Sequence, residues 1–288
     1  MTEPASLPWL CSALARLPRP LALHMAARLA DGLYAVYCAS PYRHFLNQSI
    51  QPALTELNTR ERNHLARLHC QRLLQALLDF VRFAQLSPQA TLPPEVQLLG
   101  HHHYLSAKAA GRGVILVSAH FGCWEWIPAA LALQGEAVSV LVQRPSQSWV
   151  DQSFSALRAQ VGVQTLYNDS LSGLRPLIRA LRQGETVGML IDQHGESQRL
   201  IGSFFRQCVS LPEGPARIAR QTGAVILPVL ARWHGQRHLI QFFTPLQAQD
   251  FKADLALMQQ LYDWLEAQIR RGPENWLWSY LRWDKYRP

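Results

Sequence analysis

Several common chemical signatures are missing from this sequence, and each absence narrows the class of protein. No G-x-S-x-G segment occurs, which argues against a serine lipase or esterase. Neither a P-loop nor a G-x-G-x-x-G segment occurs, which disfavours chemistry driven by a bound nucleotide. The cysteines are scattered without a C-x-x-C pair, so we expect no disulfide framework, no structural zinc site and a reducing compartment. They are Cys11, Cys38, Cys70, Cys123 and Cys208.

Charged residues are scarce too, at 17% of the chain, whereas apolar residues make up 48% and there are nine tryptophans. This composition predicts a surface that partly faces something other than water. The net charge of +8 suits nucleic acid, an anionic membrane surface, or a phosphorylated or acidic substrate. No predicted helix carries a basic stripe, and no zinc-finger or aromatic-basic RNA motif is present. We therefore expect no nucleic-acid partner and favour the membrane surface.

The three consecutive histidines at 101–103 are the most visible candidate for a metal site. Side chains of consecutive residues cannot all face one ion in regular structure. No H-E-x-x-H segment or cysteine-rich partner set is present either. We predict no metal site and interpret 101–103 as a polar segment that leads into a sheet.

Strands and helices alternate through most of the chain. Short β-branched and aliphatic runs predict strands at 114–117, 137–142, 163–166, 187–191, 225–229 and 239–242. Helical periodicity predicts helices at 123–133, 149–160, 174–182, 216–222 and 253–271. Such alternation is typical of parallel sheets that are covered on both faces. The predicted fold class is α/β, with a largely parallel central sheet flanked by helices and an N-terminal helical segment.

The N-terminal part contains the best candidate for a membrane span, at 21–38. Its His24, Arg28 and Asp31 leave it short of the roughly 20 apolar residues that a span needs. An amphipathic helix that packs on the protein or lies at an interface is therefore predicted.

The rest of the N-terminal part is predicted to be irregular at 41–50 and helical at 59–83. We expect residues 1–90 to form a helical, membrane-associating segment and residues 91–288 to form the α/β core, in one structural unit.

The residues best suited to chemistry follow the predicted strand at 114–117. His120 and Glu125 lie in a strand-to-helix turn, where α/β folds place reactive groups. Gly122 allows a turn between them, so that the Glu125 carboxylate reaches one ring nitrogen of His120 and leaves the other as a general base. A structural histidine beside a solvated glutamate fits the same spacing.

Four further residues are candidates for substrate binding. Arg144 follows a predicted strand and Arg158 lies on the next helix, and the planar guanidinium of either suits a phosphate or carboxylate. Asp192 and Gln193 close the strand at 187–191, and the expected role of Asp192 is to orient an arginine or a backbone amide. A solvated arginine and an aspartate that only caps a turn are the structural alternatives.

The segment His-Phe-Gly-Cys-Trp-Glu at 120–125 resembles the H-x4-D/E motif of the lysophospholipid acyltransferase superfamily. It has the form found in the family of lipid A biosynthesis lauroyl and myristoyl (late) acyltransferases. Similar segments follow in the family's order at 142–145, 188–193, 202–205, 214–224 and 273–278.

The resemblance implies an O-acyltransferase that moves a fatty acyl chain from an acyl-carrier-protein or acyl-CoA thioester to a hydroxyl of a lipid A precursor or related glycolipid. It implies a His120–Glu125 dyad, no cofactor beyond that co-substrate, and acyl carrier protein and a lipid acceptor as partners. The expected location is the cytoplasmic face of the bacterial inner membrane, peripheral or monotopic. A specialised acyltransferase of another lipid or secondary metabolite, and a non-catalytic lipid-binding protein at the membrane surface, are the alternatives.

Overall fold

A computed structural model of the chain describes residues 13–168, 171–193 and 200–283, without the side chains of residues 171 and 172. Cys11 lies outside the described residues. Helices α1 (Arg19–Ala39), α2 (Phe45–Ala53) and α3 (Thr59–Val81) make up the N-terminal part. The prediction of irregular structure at 41–50 is wrong for 45–50, because α2 buries Leu46 and Ile50 against the core. Its local pattern is weak, since Pro52 lies inside the helix.

The described residues contain the strands β1 (Val96–Leu99), β2 (Val114–Ser118), β3 (Val138–Val142), β4 (Val163–Tyr167), β5 (Thr186–Leu190), β6 (Ile201–Phe204), β7 (Gln207–Ser210), β8 (Val225–His234) and β9 (Arg237–Phe242). Seven of these strands form one sheet, in the order β1-β9-β8-β2-β5-β3-β4, while β6 and β7 form a separate hairpin. Neighbouring strands in the sheet run parallel except for β8 and β9. The predicted α/β class with a largely parallel central sheet is confirmed.

Helices cover both faces of the sheet, and each face has its own hydrophobic cluster. The helices are α4 (His101–Ala109), α5 (Trp126–Ala132), α6 (Ser148–Gln160), α7 (Leu171–Arg182), α8 (Gly214–Thr222) and α9 (Asp254–Arg271). On one face α5 and α6 pack on Val114 and Leu116 of β2, and on the other α7, α8 and α9 pack on Ile115 and Val117. The alternation along β2 follows from the two-residue repeat of a strand.

Two predictions from the sequence concern the histidines at 101–103 and the candidate membrane span. The histidines at 101–103 form the first turn of α4, the helix that precedes β2. In the part of the chain that the structure describes, no helix has both the length and the apolar character needed to cross a membrane.

Candidate active site

The carboxyl ends of β2 and β5 bring His120 and Asp192 together. The two strands are adjacent and parallel, with Ser118 paired to Leu190. Two residues beyond this pair lie His120 and Asp192, so the strand register aligns them although they are 72 residues apart in the sequence. The carboxyl edge of such a sheet is where α/β folds bind their ligands.

The imidazole of His120 is held by the carboxylate of Asp192. Nδ1 of His120 lies 2.9 Å from Oδ1 of Asp192, and the backbone N–H of His120 donates to Oδ2 at 3.0 Å. An ionised carboxylate only accepts hydrogen bonds, so Nδ1 carries the proton and Nε2 has the free lone pair. In this tautomer Nε2 is able to accept a proton from a bound hydroxyl.

The pair shifts the pKa of both members. Burial alone would lower the pKa of His120, but the charge and hydrogen bond of Asp192 outweigh burial and raise that pKa above 6.5. Burial alone would raise the pKa of Asp192, but the charge of His120 and the hydrogen bonds to the carboxylate keep that pKa below 3.8. Asp192 is therefore ionised at neutral pH, and His120 is an effective base only above its raised pKa.

A glycine sets the turn after His120. Gly122 has a φ of +60°, and a Cβ at this position would lie 1.9 Å from the carbonyl oxygen of Ala231. Only glycine fits such a close approach without a backbone shift. The N–H of Gly122 donates to the carbonyl of Asn275 at 2.8 Å. The motif is thereby tied to the C-terminal part of the chain.

Glu125 does not contact the ring of His120, contrary to the prediction from their spacing. Its two carboxylate oxygens accept hydrogen bonds from Nε and Nη2 of Arg158, at 2.9 Å and 2.7 Å. The side chains of Glu125 and Arg158 are only 9% and 10% exposed. A buried guanidinium without a carboxylate is very costly, whereas His120 already has Asp192 as its partner. Glu125 thus acts on His120 only through space, as one minor cause of its raised pKa.

The two candidate arginines differ in accessibility. Arg158 is buried and has its guanidinium fork occupied by Glu125, which does not fit the prediction that it binds a substrate anion. Arg144 is half-exposed and lies at the rim of the cavity, with Nη1 2.8 Å from Oδ2 of Asp151. Its guanidinium also lies over the ring of Tyr167, 3.7 Å from the ring centroid. These contacts orient Arg144, whose side chain is half-exposed at the cavity rim.

Trp276 completes the surroundings of Asp192, a role that could not be predicted from its position in the sequence. Its indole Nε1–H donates to Oδ2 of Asp192 at 2.9 Å. The backbone of Trp276 pairs with that of Phe121, and the N–H of Leu277 donates to the carbonyl of His120 at 3.0 Å. The C-terminal segment therefore braces both members of the pair. The sequence shows an aromatic stretch at 273–278, but nothing in the sequence links this stretch to Asp192.

Several other aromatic residues belong to the core. Trp124 does line the cavity, with its ring edge-on to His120 at a centroid distance of 5.0 Å. The buried ones, which are not part of a membrane-facing surface, are Phe204, Phe205, Trp126, Trp276, Trp278 and Trp283.

Cys123 is packed rather than poised for chemistry. Its side chain is buried, and burial raises the pKa of its thiol well above 9.0. A protonated thiol is a poor nucleophile, so this cysteine fills space beside the motif.

A cavity of about 1030 Å³ opens beside His120 where the sheet divides. Strands β3 and β5 pair only as far as Val140 and Gly188. Beyond that point β5 continues beside β2, and β3 continues beside β4. The cavity occupies the opening between them, with Gln193 on its wall.

The part of the cavity between the sheet and helices α5 and α6 is called the first cleft. It is apolar apart from the ion pair of Glu125 and Arg158 and the hydroxyl of Ser118. Its apolar lining comes from Leu116, Ile127, Pro128, Val140, Phe154 and Gly188. A hydrocarbon chain fits such a lining, because it loses no hydrogen bonds on leaving water.

The fold and the site together define an α/β protein with a carboxylate-oriented histidine at the mouth of an apolar cavity. The family model for bacterial lipid A biosynthesis acyltransferases matches residues 9–285, and the chain belongs to this family. It is 23% identical to a lipid A biosynthesis lauroyltransferase of Escherichia coli, over 95% of this chain and 88% of the relative.

Other similar proteins are named for different lipids. The chain is 24% identical to a phosphatidylinositol mannoside acyltransferase of Mycolicibacterium smegmatis, over 67% of this chain and 64% of that protein's length. Among solved structures, it is similar to a 1-acyl-sn-glycerophosphate acyltransferase of Thermotoga maritima, at 15% identity and a TM-score of 0.41. That match covers 90% of this chain and all of the other.

Proposed function

We propose that this protein is an O-acyltransferase that moves a fatty acyl chain from a carrier thioester to a hydroxyl of a lipid A precursor or related glycolipid. The observation that carries the proposal is the ring of His120, bonded through Nδ1 to Asp192 and lining an apolar cavity. Family membership and the names of the relatives support the same activity.

In the proposed reaction, Nε2 of His120 takes the proton of the acceptor hydroxyl as its oxygen attacks the thioester carbonyl. Asp192 stabilises the imidazolium that forms. The tetrahedral intermediate collapses with loss of the carrier thiolate, which takes the proton from the imidazolium. No covalent enzyme intermediate and no cofactor are needed.

The proposal gives each part of the cavity a role. The first cleft holds the transferred acyl chain, since its lining is largely apolar and the two charges of its ion pair are bonded to each other. Arg144 binds a phosphate of the carrier's phosphopantetheine or of acyl-CoA, because its fork lies at the rim and retains exposed surface.

The donor and acceptor can be tested directly with the purified protein. We expect incorporation of acyl chains when dodecanoyl-acyl carrier protein or dodecanoyl-CoA is supplied with a detergent-dispersed bacterial glycolipid extract, followed by mass spectrometry. His120→Ala protein of unchanged circular dichroism is the control, and it should give no acylated product. Equal product with wild type and His120→Ala, or none with wild type and either donor, would reject the proposed activity.

We further propose that α1 attaches the protein to the anionic cytoplasmic surface of the inner membrane. Alanines on one side of α1 are buried, and Asp31 bonds to Arg67 on α3. The opposite side carries an exposed apolar stripe, with Arg28 also exposed. Such a helix suits the headgroup region of a bilayer. The stripe consists of Leu21, Met25, Leu29, Leu33 and Val36.

Liposome flotation tests this attachment. Replacing both Leu29 and Leu33 by glutamate should lower partitioning at least tenfold, because each leucine is more than half-exposed and burying one side chain contributes about 1.5–3 kcal/mol. The control Leu255→Glu changes an exposed leucine on α9 and should have little effect. Anionic vesicles should bind better than neutral ones and lose that advantage in high salt. Equal flotation of the double variant and Leu255→Glu would contradict the role of α1.

A further inference from the structure

The cavity reaches both faces of the sheet, which follows from the residues that line it. Val140 and Leu141 are consecutive on β3, and Gly188 and Met189 are consecutive on β5, yet all four line the cavity. Consecutive residues of a strand point to opposite faces. The cavity therefore passes through the gap between β3 and β5 into a second region.

This region, called the second cleft, lies between the sheet and helices α7 and α8. It has an apolar floor and wall, and it joins the first cleft at the strand ends beside His120. Its apolar lining comes from Leu141, Leu174, Ile178, Met189 and Ile218. At about 1030 Å³ the whole cavity is at the upper limit of the roughly 300–1,000 Å³ typical of a site for one small molecule. A single acyl chain in the first cleft leaves the second without an occupant.

The rim of the second cleft differs from that of the first. Arg217 on α8 lines the cavity there and is exposed, and its side chain makes no hydrogen bond or ion pair with any residue that the structure describes. Glu213, at the N-terminal end of α8, lines the same rim. Gln221, one turn further along α8, lines the same rim. An apolar cleft with a cation at its mouth fits an amphiphile that has a hydrocarbon chain and an anionic group.

We propose that the second cleft binds a hydrocarbon chain of the lipid acceptor, with an anionic group of that acceptor on Arg217. This assignment rests on the proposed acyl transfer, which requires two lipid chains to meet at one histidine. Among the described residues that line it, the first cleft offers no cation to the acyl chain, because Arg158 inside it is bonded to Glu125 and Arg144 at the cavity rim is assigned to the carrier's phosphate. It therefore suits a bare acyl chain whose only polar end is the reacting carbonyl. The acceptor's hydroxyl would approach His120 from the second cleft and the thioester from the first.

Calorimetric titration with dodecyl phosphate, below its micelle concentration, tests the second cleft without any reaction. We expect two molecules to bind to the wild-type protein, one in each cleft. Leu174→Trp fills the second cleft and should leave one site. Gly188→Val narrows the first cleft, since a Cβ at this position already lies 3.3 Å from Cγ1 of Val140, and should remove the other site.

Arg217→Gln is a second test variant, and it does not disturb the packing of the core, because Arg217 is exposed. It should weaken one of the two sites about ten- to a hundredfold, the usual effect of losing a charged hydrogen-bond partner. Lys252→Gln is the matched control, since Lys252 is exposed and does not line the cavity, and it should bind as the wild type does. A single site in the wild-type protein, or two unchanged sites in both Leu174→Trp and Arg217→Gln, would overturn the proposal.

Steady-state kinetics of the variants test the acceptor role of the second cleft separately from the acyl transfer itself. Leu174→Trp and Arg217→Gln should raise the KM for the acceptor and leave the preferred donor chain length unchanged. Gly188→Val should instead shift the preference to shorter donors. If the wild-type protein transfers no acyl chain, the proposed activity fails, while the binding stoichiometry still decides whether the second cleft takes a lipid. If transfer occurs and the acceptor's KM in both Leu174→Trp and Arg217→Gln equals that of the wild type, the second cleft is not the acceptor site.

Discussion

Asp192→Asn should lower kcat for acyl transfer by about two to four orders of magnitude, the range for lost general-base assistance. An asparagine side chain keeps one carbonyl oxygen, which would continue to accept from Trp276 and from the backbone N–H of His120. Its NH2 group would then face Nδ1 of His120. That arrangement favours the tautomer with the proton on Nε2, so the base is lost although the shape is kept.

Steady-state rates of purified variants measure this effect, with thermal unfolding as the check on folding. Trp276→Phe is a graded companion, because it removes one hydrogen bond to Asp192 and keeps an aromatic ring in place. It should lower kcat less than Asp192→Asn does. Wild-type kcat in well-folded Asp192→Asn would show that Asp192 does not orient the base.

Glu125→Ala should lower the free energy of unfolding by about 3–5 kcal/mol, the usual cost of removing one member of a buried ion pair. The reason is Arg158, which would keep its charge with no partner in a buried position. Replacing both residues by apolar side chains, as in Glu125→Leu with Arg158→Met, should recover most of the loss. Unfolding by denaturant measures the free energy of unfolding of the wild type, of Glu125→Ala and of the double variant.

The exposed pair of Glu56 and Arg270 supplies the control for that measurement. Their side chains are 56% and 37% exposed, and such surface pairs contribute at most about 1 kcal/mol. Glu56→Ala should therefore unfold almost as the wild type does. A Glu125→Ala protein of wild-type stability would contradict the structural role assigned to Glu125.

The strands that build the site could be predicted from the sequence, but the contacts between them could not. The runs at 114–117 and 187–191 are short, apolar and β-branched, and both form strands within a residue or two of the predicted bounds. Which strands become neighbours depends on the whole sheet. The register that aligns Ser118 with Leu190, and hence His120 with Asp192, is a long-range property that local periodicity does not contain.

The prediction of a His120–Glu125 contact failed for a related reason. Spacing along the chain shows that two side chains are able to meet, but not which other partners compete for them. Arg158 lies 33 residues away on a helix whose burial was not visible in its pattern of residues. A buried guanidinium requires a carboxylate, and Glu125 supplies it.

The segments missed altogether have weak local patterns. Helix α2 contains an internal proline, and α4 begins with three histidines. Both are stabilised by side chains that they bury against other elements, such as Ile50 of α2 and Tyr104 of α4. Tertiary packing outweighs intrinsic propensity in such short helices.

The pH dependence of kcat/KM for wild type, Asp192→Asn and Glu125→Gln tests most directly whether His120 is a base controlled by Asp192. Transfer needs neutral His120, and Asp192 raises its pKa, so the acid limb of the wild-type profile should lie above pH 6.5. Without the charge of Asp192, burial has the larger effect on the pKa of His120 and lowers it. The acid limb of the Asp192→Asn profile should therefore move below pH 6.5, and its maximal kcat/KM should be much lower. Glu125→Gln should move the limb only slightly. Identical limbs in wild type and Asp192→Asn, or the full shift in Glu125→Gln, would contradict the assignment.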